Sequence, residues 1–289
     1  MTIERLHIGA AVLVAGALVY PQFAQAHGVA GDRFFPATIL TDDPFAADEL
    51  ALPTIAAGGD GQEYSFEWSK TIFRNVSISF GGGYANPQGG PSGWDNFEIT
   101  PTWQFLTDPD GEFVASAAFG FEIGGSGTSA IADTFTTYTP KLLFGKGFGG
   151  LSDDMALLRP LALTGVVGYA IPGTSTESKV LEWGGALEYS LLYLQTNVRD
   201  QGFSDVVAHL TPVVEFSFET PTDTGGGGTT GTINPGLIWS GKQIQLGVEA
   251  QIPVGSASGN NVGVLFQLHF YMDDIFPHSL GTPLFGGTH

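Results

Sequence analysis

The chain has 289 residues, 42 of them glycine and none cysteine, and a formal charge of -19 from 29 acidic and 10 basic residues. Without cysteine there is neither a disulfide framework nor a thiolate metal centre, and the acidic balance excludes the basic footprint that nucleic acid requires. Charged residues make up only 13% of the chain, about half of ordinary usage, which suits a surface that does not mainly face water.

Residues 1–26 read as a cleavable secretory signal, with Arg5 as the positive end, Ala10 to Tyr20 as the apolar stretch and Ala24-Gln25-Ala26 as the small-x-small site. The apolar stretch is too short to cross a bilayer as a helix. Cleavage after Ala26 would leave His27 at the new N-terminus, where its amino group and imidazole could chelate copper or another transition metal. The plainer reading of His27 is a processing junction with no metal role. Residues 27–61 mix proline with the acidic pairs Asp42-Asp43 and Asp48-Glu49. This segment reads as a plug for a lumen, a first strand from Glu49 to Ala57, or a loose lead-in.

From Gln62 to Met272 apolar residues recur at every second position, which predicts strands with one apolar and one polar face. The predicted strands are Gln62–Lys70, Val76–Tyr84, Phe97–Leu106, Phe113–Gly124, Phe135–Phe144, Leu157–Ile171, Leu181–Leu194, Val206–Glu219 and Thr232–Trp239. A hairpin over Gln243–Met272 completes them. Its first arm places Ile244, Leu246, Val248, Ala250 and Ile252 on one face and Gln245, Gly247, Glu249 and Gln251 on the other. With the strand at Glu49 the total is about twelve, an even number as closed bacterial barrels require.

Such strands suit a soluble sandwich or a membrane barrel. A sandwich should show Lys, Glu, Arg or Thr on its outer face; here the second face is mostly Gly, Ser, Thr, Gln and isolated Glu. Aromatic residues such as Trp68, Trp103, Trp183 and Trp239 fall near strand ends, where a membrane-interface girdle places them. The fold expectation is therefore all-β: a closed antiparallel transmembrane β-barrel over residues 62–272, followed by a periplasmic tail over residues 273–289. Pro101, Pro140, Pro160, Pro212, Pro235 and Pro253 lie inside these strands and predict bulges or strand ends there.

With the apolar face outward, the lumen collects Glu67, Glu98, Glu122, Glu182, Glu188, Glu215 and Glu249, together with Gln251, Gln267, His209 and His269. Gln104 and Gln245 join them, and Lys141 is the main base. Carboxylates around a pore favour cations over anions; alternatively these acids hydrate the lumen or pair with scattered bases. Catalysis finds little support. His209 and Ser217 lie eight residues apart on one face, beyond hydrogen-bond reach at about 3.3 Å per residue. No Gly-x-Ser-x-Gly elbow or phosphate loop is present. The chain reads as a non-enzyme without a cofactor.

The opening His27-Gly-Val-Ala-Gly-Asp-Arg-Phe-Phe-Pro36, the elements Asp42-Asp-Pro44 and Asp48-Glu49, and the ending Met272-Asp-Asp-Ile-Phe-Pro277 with Ser279-Leu-Gly281 resemble the proteobacterial outer-membrane transporter-like barrels of the phenol-degradation MetA-pathway family. The resemblance implies a barrel that carries small, often apolar compounds. One departure is the tail: outer-membrane barrels commonly end on an aromatic in the last strand, and here Asp273 to His289 follow it. The expectation is an outer-membrane channel or transporter for passive passage of small molecules through a polar, acidic lumen, with outer-membrane lipid and a small solute as partners. The alternative is a non-transporting surface β-protein that binds or scaffolds.

Overall fold

Strands with an apolar and a polar face bury neither face alone, and in lipid a sheet must also close on itself so that no backbone edge is left unpaired. The computed structural model, which describes residues 28–285, meets both demands. Twelve strands run β1 Glu49–Gly58, β2 Gly61–Phe73, β3 Val76–Pro87, β4 Glu98–Asp108, β5 Phe113–Glu122, β6 Thr137–Gly147, β7 Leu161–Pro172, β8 Val180–Tyr189, β9 Leu210–Pro221, β10 Thr230–Ser240, β11 Ile244–Pro253 and β12 Gly263–Tyr271. Each pairs antiparallel with the next, and β12 pairs with β1 to close the barrel. The apolar face points outward, with Trp103, Leu142 and Val264 more than half exposed, while Ser116, Thr164, Asn234 and Gln245 on the inner face are buried. The chain enters β1 and leaves β12 at the same end, the terminal mouth; the opposite end is the loop mouth.

Three strand ends differ from the periodicity. The strand expected to reach Leu194 stops at Tyr189, because Ser190 caps a helical turn over Leu191–Tyr193 by accepting the Tyr193 amide, and a wider turn over Leu194–Val198 follows. The strand expected from Val206 begins at Leu210 after a helical turn over Asp205–Ala208, and Leu157 belongs to a turn of 3-10 helix over Asp153–Leu158. In these places apolar residues continue the alternation into helical turns at the terminal mouth, so spacing alone misplaces the boundary.

Pro160 and Pro253 mark strand ends as expected, the first just before β7 and the second closing β11, but three other prolines behave differently. Pro101, Pro140 and Pro235 pair with Ile78, Phe119 and Val214 on one neighbour. On the other neighbour each leaves a gap in an unshifted register. The missing N–H faces one side only, so one rung is lost and no bulge forms. The bulge between β1 and β2 falls instead beside Pro53, where the register shifts between Ala51 and Thr54.

Residues 28–48 pack against the inner wall. At the terminal mouth Val29–Ala30 and Arg33–Phe34 form a short strand pair. The Arg33 guanidinium, 1% exposed, reaches Glu112 at 3.3 Å and the carbonyl of Pro160 at 2.9 Å, donates to the carbonyl of Arg159, and stacks 3.8 Å over the Tyr193 ring. Tyr193 in turn donates to Glu112 at 2.8 Å, and its burial, with that bond, pushes its pKa up to about 12. The chain then descends. Ala37 exchanges two hydrogen bonds with the Gln245 amide, at 3.1 and 2.7 Å. Returning from its deepest point, Pro44 accepts from Ser116, Ala46 donates to Gln104 at 3.1 Å, Ala47 accepts from Ser69 at 2.9 Å, and Asp48 pairs with Lys70.

Two apolar clusters anchor this descent: Phe35 with Ala30, Ala162 and Phe45, and Ile39 with Ala186, Val213, Ile238 and Leu265. Burying each of Phe35 and Ile39 contributes about 1.5–3 kcal/mol. Gly247 makes room for the second, since a Cβ there would lie 2.4 Å from Ile39 Cδ1. Beyond β12, residues 272–285 fold back over the terminal mouth. Leu284 and Phe285 donate to the carbonyls of Thr71 and Ile72 at 3.1 and 2.9 Å, and Lys70 donates to the carbonyl of Thr282 at 2.8 Å.

Replacing Arg33 by Met leaves Glu112 buried without its cation, a loss on the order of 3–5 kcal/mol that falls on the segment rather than the barrel. The variant is expected to keep heat-modifiable migration on a gel while residues 28–48 become accessible to protease. A segment as resistant as in the parent protein would show that Arg33 does not anchor it.

Candidate functional site

The inner face of the strands carries the candidate residues, and the segment divides them. On the β8–β11 side, Glu188, Glu215 and Glu249 are buried behind it. The Glu215 carboxylate accepts the amide N–H groups of Ile39 at 2.5 Å and of Leu40 and Thr41 at 2.9 Å each, together with the Thr41 hydroxyl at 3.2 Å. Three consecutive amides on one carboxyl group supply the hydrogen bonds that burial takes away from it. Glu215 is thus the segment's receptor rather than a group facing open space.

Beside the segment the lumen opens into two chambers, of about 440 Å³ and about 250 Å³, the larger reaching from Glu49 and Ser77 near the terminal mouth to Glu63 and Asp95 near the loop mouth. Pairing aligns the inner positions His269, Ala51, Glu67, Gly81, Glu98 and Glu122 in one continuous row across β12 and β1 to β5. Glu67, Glu98 and Glu122 line the larger chamber with Gln267 and His269; Glu182 lines the smaller one, which Glu98 and Glu122 also reach. His269 Nε2 lies 3.2 Å from Glu49, and Gln267 donates to Thr54 at 3.2 Å. Asn96 donates to Glu122 at 2.9 Å. Gly120 keeps the wall low beside these acids, since a Cβ there would stand 2.7 Å from Glu98 Oε1.

Two sequence candidates lie elsewhere. His209 ends the helical turn before β9, its Nδ1 2.7 Å from the Asp205 carbonyl, so it lies outside the strand face that carries Ser217. Gln251 sits opposite Gly263 near the loop mouth and lines neither chamber. His27 and the signal stretch fall outside the described residues. Five acids absent from the candidate set line the larger chamber: Glu49, Glu63 and Asp95 from the wall, and Asp42 and Asp43 from the segment. Glu63 was legible, because it stands four residues before Glu67 on the same face. Asp42 was not, since nothing in an irregular segment tells which residue reaches a wall. Its carboxylate lies 2.8 Å from Lys141 Nζ, which is also 3.7 Å from Glu98. Among the described residues lining the two chambers, Lys141 is the one lysine or arginine.

Replacing Glu215 by Ala removes the acceptor of three amides. Hydrogen exchange at Ile39, Leu40 and Thr41 is expected to speed up about tenfold or more, the factor carried by charge-assisted bonds of about 1.5–3 kcal/mol. Unchanged protection there would mean the apolar clusters alone seat the segment.

No known family profile and no curated relative matches the chain, so the likeness to the phenol-degradation MetA-pathway family rests on wording at its two ends. Among solved structures the chain is similar to the KdgM porin, at 14% identity and a TM-score of 0.51, covering 76% of this chain and 98% of that one. It is similar to the NanC porin at 9% identity and a TM-score of 0.52, covering 77% of this chain and 98% of that one. LpxR from Salmonella typhimurium aligns at 8% identity with a TM-score of 0.45, over 77% of this chain and 99% of that one. At these identities the likeness is one of architecture: the chain is a closed twelve-stranded antiparallel β-barrel of the kind seen in the KdgM and NanC porins.

Proposed function

We propose that this protein is an outer-membrane barrel that passes small neutral or cationic molecules, with its terminal mouth toward the periplasm and residues 28–48 acting as a plug that restricts the passage. The observation that carries this reading is the imbalance of charge around the open chambers. Glu63, Glu67, Asp95, Glu98, Glu122 and Glu182 face them with Lys141 as the opposing base. A ring of carboxylates in a confined aqueous space lowers the barrier for cations and raises it for anions. The outward apolar face and the closed backbone ladder support the membrane setting. Passive passage suits a lumen whose chambers are bounded by side chains and one strap rather than by a mobile domain.

The segment packed inside the barrel supports a second reading, a barrel that binds a solute in its chambers without passing it. Planar bilayers separate the two. Under a potassium chloride gradient the reversal potential is expected to show cation preference, and removal of residues 28–47 to raise single-channel conductance. Anion preference would sink the charge argument. A deletion variant that folds, inserts and still conducts no ions would favour the binding barrel.

A further inference from the structure

Thr41 and Asp42 form the deepest point of the segment, and both line both chambers, so this tip is the partition between them. Most other contacts of the segment are made by backbone groups or buried side chains toward the terminal mouth. The tip is held on two sides: Thr41 bonds to Glu215 on β9 through its amide and hydroxyl, whereas the Asp42 carboxylate, 44% exposed, holds β6 through the ammonium of Lys141, whose side chain is 12% exposed. A pair that water reaches is weak and is open to competition from other ions. Any solute that carries an ammonium group presents to Asp42 and Glu98 the same donor that Lys141 presents. Gln267 adds an independent feature: it is 5% exposed, lines the larger chamber, and its carbonyl oxygen has no partner. A buried acceptor without a donor is unfavourable, and a second N–H of a bound solute would satisfy it.

We propose that the Asp42–Lys141 pair is a latch on the plug, and that solutes bearing ammonium groups release it by competing with Lys141 for Asp42 and Glu98. Release lifts Asp42 from β6 while Thr41 stays on Glu215, widens the opening between the two chambers, and brings the solute into the larger chamber, where Gln267 accepts from it. This rests on the reading of residues 28–48 as a plug, and it adds both a ligand class and a trigger.

The test is conductance of the full mature chain in planar bilayers, with putrescine as the diamine and tetramethylammonium as a cation without N–H donors. Putrescine on the loop-mouth side is expected to raise wild-type conductance roughly fivefold, the factor a weak ion pair carries, and tetramethylammonium to leave it unchanged. Lys141→Gln and Asp42→Asn should each start at the raised level and lose the response; Asp42 lies outside the barrel strands, so its variant does not disturb the barrel. The charge-swapped double variant, Asp42→Lys with Lys141→Asp, should restore low conductance. Wild-type conductance in both single variants, or a putrescine response that survives in them, would overturn the latch. An equal response to tetramethylammonium would overturn recognition through N–H donors. Deletion of residues 28–47 separates the two levels: if it raises conductance while putrescine does nothing, the latch alone falls, and if it raises nothing, the plug reading falls with it.

Discussion

An irregular stretch of polypeptide inside a barrel must find a partner for each buried backbone N–H and C=O, because little water is left to provide one. That requirement governs the interior of this protein. A twelve-stranded barrel encloses more space than its own inward side chains fill, and several inward positions here are as small as Ala118, Ala162 and Ala186. Residues 28–48 occupy part of that space, and the wall supplies their partners one by one: Gln245 to Ala37, Glu215 to residues 39–41, Ser116 to Pro44, Gln104 to Ala46 and Ser69 to Ala47. The inner polar residues therefore divide into a receptor for the segment and a lining for the chambers. Glu215 and Glu67 look alike in sequence and serve in different halves.

The barrel itself was legible because two demands coincide along its strands. Outward positions meet an apolar medium and inward ones a polar interior, so residues such as Leu246 and Gln245 alternate with a period that only a strand produces. The signal failed at the terminal mouth. Leu191, Tyr193 and Val206 continue the alternation, yet their backbone turns into helix, and a cap at Ser190 is too small a cue to outweigh it. The proline expectation held at the strand ends beside Pro160 and Pro253 and failed at Pro101, Pro140 and Pro235, because a rule about lost donors does not say on which side the donor would have pointed.

The interior was legible only in part. Which residues face inward follows from periodicity, and Glu67, Glu98, Glu122 and Glu182 do line the chambers. What each of them meets depends on a segment whose path is set by contacts to its backbone, and backbone groups leave no trace in the sequence. Arg33 illustrates the limit. It is one of ten basic residues in the chain, and its three-sided site is assembled from Glu112, the Arg159–Pro160 carbonyls and Tyr193, which lie far apart along the sequence.

The folded-back tail bears on the place where any such barrel is mechanically weakest. Neighbouring strands elsewhere are joined by a connecting segment of chain, but β12 and β1 are the last and first strands and are joined by none. Here the amide of Met272 bonds to the Asp48 carbonyl at 2.9 Å, and the tail then passes beyond β1 to bond with the end of β2. The chain that leaves the last strand is thereby fastened to the second, and the seam between first and last is stitched across at the terminal mouth. Pulled apart sideways, this barrel would have to lose its tail before it could lose its seam.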